Sequence, residues 1–185
     1  MGVYFKPNLK ARPMESPNEC EQGAYRTQSE EMDSHELYTI GYQEKEMPDF
    51  IEILKNNGIK RLVDIRNHTG SRYKLDFSKK NLTVTLSEEG ISYTSLSFLG
   101  VPKPIRDSYR KGEISNIEFD KYYRDYISNI NKVKYVREIK DPSKTVLMCY
   151  EKYAVSQEEQ KINCHRSILA NILKETGEFD KIIHL

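Results

Sequence analysis

Five short β-prone runs, each separated from the next by a stretch of helical periodicity, narrow the fold of this chain more than any other feature. The runs are Leu37–Ile40, Arg61–Ile65, Ile91–Leu96, Thr145–Cys149 and Lys181–Leu185. Between them, Met47, Phe50, Ile51 and Leu54 share a helical face that closes at Gly58. Ser78 caps a weaker helix that runs to residue 89. Residues 116–139 read as one long helical pattern, and Ile168, Leu169, Ile172 and Leu173 form a stripe that stops at Gly177. Alternation of this kind predicts a three-layer α/β domain, Rossmann-like or rhodanese-like. Its sheet is five-stranded and mostly parallel, with helices on both faces.

The pattern begins only at residue 37. Residues 1–36 hold three prolines in their first 17 positions and show neither the 2.0 nor the 3.6 period. They are expected to form a flexible or loosely docked N-terminal extension, leaving residues 37–185 as a single domain. The net charge of +1 divides at this boundary into −3 for the extension and +4 for the domain. So even a balance gives no global warrant for nucleic acid. No apolar run approaches the ~18 residues of a membrane span, and no secretory segment is present, so no membrane partner is expected. Three cysteines at irregular spacing make no disulfide framework, and a cytoplasmic setting follows as the expectation. Cys20, in the extension, is read as a surface thiol.

Open parallel sheets place their sites beyond the carboxyl ends of the strands. Gly41 and Tyr42 follow the first run, and Asp64 follows Leu62-Val63 near the end of the second, with Arg66, Asn67, His68 and Arg72 just beyond that run. Gly100 follows the third, before a basic loop that contains Lys103, Arg106, Tyr109, Arg110 and Lys111. Cys149 and Glu151 end the fourth, Cys164-His165-Arg166-Ser167 opens the last helix, and His184 ends the fifth run. The reactive side chains thus gather on one rim.

A thiol at a helix N-terminus, beside arginine and histidine, can be a thiolate nucleophile, and the same turn can cradle an anion. Cys164 and Cys149 are therefore candidate nucleophiles, with His165, Glu151 and Asp64 as candidate acid–base groups. Arg166, Ser167, Arg66 and Arg72, with Gly41, Tyr42 and Gly100, are candidates for holding the anion or substrate. Asp64 and Arg66 are read as free to point apart. No paired-cysteine or paired-histidine spacing suggests a metal, and adjacent Cys-His rarely share one ion, so neither metal nor cofactor is expected.

These residues resemble the family called domain of unknown function 488, over about residues 37–185. The resemblance lies in Thr39-Ile40-Gly41, Leu62-Val63-Asp64-Ile65-Arg66 with Ser71-Arg72, Leu99-Gly100, Cys149-x-Glu151 and Cys164-His165-Arg166-Ser167. It implies an α/β fold and a site around those residues, and it implies no established activity. The chain departs from the family pattern at Tyr42, where histidine is usual, at Asn67–Gly70, where proline is frequent, and in a longer stretch between Cys149 and Cys164. A remoter likeness joins Val146–Cys149, Arg166-Ser167 and the final strand to the active-site half of rhodanese-like domains. There the cysteine lies five residues before the arginine. Here sixteen residues intervene, which excludes one compact cradle built from both.

The leading expectation is an enzyme acting on a phosphate-bearing small molecule or nucleic acid at this Cys/His/Arg rim. The alternatives are a non-catalytic nucleic-acid-binding module, suited by the basic loop and 13 tyrosines, and rhodanese-type sulfur transfer.

Overall fold

A computed structural model describes residues 35–70, 74–140, 144–152 and 164–185. Arg72, Cys20 and the extension through residue 34 lie outside the described residues, as does most of the long stretch before Cys164.

The expected α/β architecture is present. Strands β1 (Glu36–Gly41), β2 (Arg61–Asp64), β3 (Ser92–Ser95), β4 (Thr145–Cys149) and β5 (Lys181–His184) form one sheet in the order β3-β2-β4-β1-β5, and every pairing is parallel. The central strand β4 is buried along its whole length, as expected where helices cover both faces. Edge strands β3 and β5 are short and partly exposed, which limits edge-to-edge pairing with other chains.

Strand alternation splits the core in two. Leu62, Val146, Met148, Tyr38 and Ile40 face helices α1 (Met47–Asn56) and α2 (Lys79–Glu88). Leu37, Val63, Leu147 and Cys149 face the other layer, which contains α4 (Asn116–Ser128), α5 (Lys132–Ile139) and α6 (His165–Glu175). Local chemistry sets the helix limits. Pro48 opens α1. The Ser78 hydroxyl accepts from the Asn81 N–H at the start of α2. Gly58, Gly90 and Gly177 take the left-handed conformation after α1, α2 and α6.

Two expectations change. The basic loop is a helix, α3 (Lys103–Arg110), opened by a proline in its first turn. Only Ile105 and Tyr109, four residues apart, pack on the core, too narrow a stripe to outweigh five polar or charged neighbours in a reading of the sequence. The long pattern over 116–139 is two helices. Asn131 caps the second by accepting from the Val133 N–H, and this local bond competes with helix continuation. Among the described residues, no helix is long and apolar enough to cross a membrane.

Candidate functional site

Gly41 and Cys149 are register partners at the carboxyl ends of β1 and β4. Arg166, in the first turn of α6, lies across them. Its side chain is 1% exposed, and it donates to Thr39 Oγ1 at 3.3 Å, Cys149 Sγ at 3.0 Å, and the carbonyls of Glu151 at 2.8 Å and Lys152 at 3.4 Å. Thr39 Oγ1 is also 2.6 Å from His184 Nδ1, so the end of β5 joins the network. Every nitrogen of the guanidinium is engaged, and Arg166 organises the rim rather than offering a vacant fork. Ser167 likewise turns inward, donating to the Cys164 carbonyl at 2.7 Å.

The Arg166 crossing explains Gly41. A Cβ there would lie 1.7 Å from the Glu151 carbonyl oxygen and 2.6 Å from Arg166 Nη1. Gly41→Ala is expected to cost roughly 2–3 kcal/mol in urea unfolding, as overpacking against backbone does. Gly70→Ala, with nothing within 4 Å of the new methyl, should leave stability within about 0.5 kcal/mol. Equal stabilities for the two variants would refute the steric account. Gly100 plays a similar part, since its Cβ would meet Asn67 Oδ1 at 1.7 Å.

Next to Arg166 stand both buried thiols. Cys149 Sγ and Cys164 Sγ are 2.8 Å apart, and Glu151 Oε2 lies 3.0 Å from the first and 3.4 Å from the second. Cys164 is the N-cap of α6, and its extended backbone (φ −81°, ψ 129°) sets its side chain outside the helical spiral. Cys164 and His165 therefore converge although they are adjacent. One ligand-type atom each from Cys149, Glu151, Cys164 and His165 lies within 4.8 Å of all the others. Burial raises the Cys149 thiol well above its ordinary value. Burial opposes the Cys164 thiolate as well, but hydrogen bonds from Cys149 and His165 outweigh it and bring this thiol down to about 6. For Glu151, burial is outweighed by the charge of His165 and the neighbouring S–H donors, and its pKa is lowered. For His165, burial is outweighed by Cys164 and Glu151, and its pKa is raised.

On the opposite face of the sheet, Asp64 and Arg66 form a separate buried pair. Residues two apart in a strand share a face. Arg66 reaches back with Nε at 2.9 Å and Nη2 at 2.6 Å to the two Asp64 oxygens, so the two do not point apart. Arg66 also donates to the Tyr42 hydroxyl and the Phe77 carbonyl, and Tyr42 stacks on Phe77 at 4.5 Å.

Between the two faces opens a cavity of about 450 Å³. Glu151 and His165 line it, whereas Cys149 and Cys164, 0% and 1% exposed, lie behind them. Tyr42, Tyr109 and Tyr150 give it aromatic walls, and Arg66, Arg106 and Arg110 make it basic. Sequence reasoning singled out Arg106, Tyr109 and Arg110 only as part of a loop. Their i, i+3 and i+4 spacing was the available signal that they share one helix face.

No curated protein and no solved structure matches the chain, so the likeness to rhodanese-like domains rests on sequence pattern alone. A family model does match, over residues 46–173. That span contains the Asp64–Arg66 pair, α3, both thiols, Glu151 and Arg166, and on this match the chain belongs to the family described as Domain of unknown function DUF488.

Proposed function

We propose that the chain is an enzyme whose substrate is a small phosphate-bearing molecule with an aromatic base, a nucleotide in chemical class, taken into the cavity at the carboxyl rim. One observation carries the reading. Arg106, on the cavity wall, has a buried Nε with no hydrogen-bond partner. Buried donors of this kind are rare, because each forgoes a bond that water would otherwise supply. Asp107 stands 3.9 Å away, too far for a hydrogen bond, and Lys103 already binds it. The Arg106 side chain is a quarter exposed, and a small turn toward the cavity lets an oxyanion there supply the missing acceptor. Three arginines line the cavity against the single carboxylate of Glu151, which favours an anion, and the tyrosine rings suit a planar base.

Glu151 and His165 are the groups placed to exchange a proton with the bound molecule. The thiols, being behind them, support the site from beneath. That burial disfavours sulfur transfer, which requires an accessible sulfur. A concave site also suits a small ligand better than a nucleic-acid strand, which needs an extended groove.

The test is equilibrium binding of a nucleoside monophosphate, the bare nucleoside and inorganic phosphate, followed by tyrosine fluorescence, since the chain has no tryptophan. The monophosphate should bind tightest. Arg106→Gln should weaken it roughly 10- to 100-fold, the cost of a charge-assisted hydrogen bond. Lys80→Gln, on an exposed face of α2, should not change it. Equal binding of nucleoside and monophosphate, or an Arg106→Gln variant that binds normally, would overturn the reading.

A further inference from the structure

The described residues hold one group of cysteine, histidine and carboxylate side chains whose ligand atoms all converge: Cys149, Glu151, Cys164 and His165. We propose that these four residues bind a single zinc-class divalent cation, beneath the cavity and independently of any nucleotide.

The donor set comes first. Two sulfurs, an imidazole nitrogen and a carboxylate oxygen suit zinc in both softness and number. Softer sites are all sulfur, and magnesium or calcium sites are all oxygen. The convergence is already present, with each donor within 4.8 Å of every other. It comes from two rigid elements, since Cys149 ends the fully buried β4 and Cys164 and His165 open α6.

The second argument is charge. Two thiolates and the Glu151 carboxylate carry −3. Arg166, donating to Cys149 Sγ at 3.0 Å, supplies +1, and a divalent cation supplies the remaining +2. A buried cluster at that balance avoids the cost of uncompensated charge. N–H donation to a metal-bound sulfur and to its neighbours also orients the ligands, and Arg166 does this while gripping the Glu151 and Lys152 carbonyls.

The third argument is His165. Its Nε2 is buried with no hydrogen-bond partner. Adjacent Cys-His is an uncommon ligand pair, but here the cysteine is an N-cap, and its extended backbone brings the two side chains to one point. Because Glu151 and His165 also line the cavity, a cation held here would lie at its floor with its four positions filled by the protein, and while bound it would occupy the two groups otherwise placed for proton exchange.

The test uses the full-length chain with no nucleotide, so its outcome is separate from that of the substrate reading. The reduced protein is equilibrated with zinc, desalted, and its metal counted by mass spectrometry. X-ray absorption then reads the zinc shell. One zinc per chain, with two sulfur and two nitrogen or oxygen neighbours, is the expected result. Cobalt in place of zinc should show thiolate charge-transfer bands and the visible bands of a tetrahedral ion. Cys149→Ser and Cys164→Ser should each lose those charge-transfer bands in part and bind at least 10-fold more weakly, whereas Cys20→Ser should match the parent. Less than half an equivalent of zinc, or a shell with no sulfur, would overturn the proposal. So would a Cys149–Cys164 disulfide that forms under mild oxidant at the same rate with and without zinc. The wild-type stoichiometry and absorption spectrum decide the matter even where a serine variant fails to fold.

Discussion

Arg166→Met should lower the melting temperature of the chain by about 10 °C, corresponding to a loss of about 3–5 kcal/mol. Methionine approximates the volume of the buried side chain and supplies none of its donors. Thr39 Oγ1 and the carbonyls of Glu151 and Lys152 each lose a bond, and Cys149 Sγ loses its neighbouring cation. Unsatisfied buried acceptors cost about 1–3 kcal/mol each where water cannot replace the donor. Arg166→Lys keeps the charge but not the planar fork, so it should fall between the parent and the methionine variant. Thermal and urea unfolding of the three proteins measure the series. A methionine variant as stable as the parent would mean that Arg166 is held by the fold rather than holding it.

The strands were legible because β-branched and aliphatic runs end at glycine, at Asp64 or at Cys149, and the topology then carries their carboxyl ends to one rim. Gathering Cys149, Glu151 and the Cys164–Ser167 turn at that rim follows from element order alone. The division of labour among them does not. Arg166 and His165 are neighbours in sequence, yet one crosses beneath β1 and β4 and the other lines the cavity. Helix phase sets that difference, about 100° per residue, and the phase depends on where the N-cap falls. With Cys164 as the N-cap and His165 as the first helical residue, the side chains of Arg166 and His165 leave the helix in those different directions. The α3 wall was less legible still. Its two apolar residues give a weak stripe, and its three cavity residues, Arg106, Tyr109 and Arg110, look in sequence like any solvated basic segment.

The Asp64–Arg66 pair supports the second large effect. Asp64 is fully buried, and its carboxylate accepts from the Arg66 N–H, Arg66 Nε, Arg66 Nη2 and the Tyr93 hydroxyl. Burial and the Asp64 charge raise the Tyr93 phenol, which keeps it a donor. Asp64→Asn replaces one acceptor oxygen with an amide nitrogen facing those same donors and leaves the Arg66 charge uncompensated. The expected cost is about 3–5 kcal/mol, the range for breaking a buried pair from one side. Asp64→Asn combined with Arg66→Met removes both charges, so the double variant should be more stable than the sum of the two single losses predicts, by at least about 1 kcal/mol. Urea unfolding of the four proteins closes the cycle, and strict additivity would show that the two side chains do not act as a unit. The pair also frames the cavity, because Arg66 holds the Tyr42 hydroxyl at 2.8 Å and Tyr42 stacks on Phe77. Losing Asp64 frees Arg66 to turn toward a cavity ligand, and it also loosens the ring that forms the opposing wall. Pre-organisation outweighs one additional mobile cation, since ordering a long side chain on binding offsets much of the contact it gains. Nucleoside monophosphate binding by folded Asp64→Asn protein should therefore weaken rather than tighten, and a gain in affinity would show that the pair withholds Arg66 from the substrate instead of shaping its site.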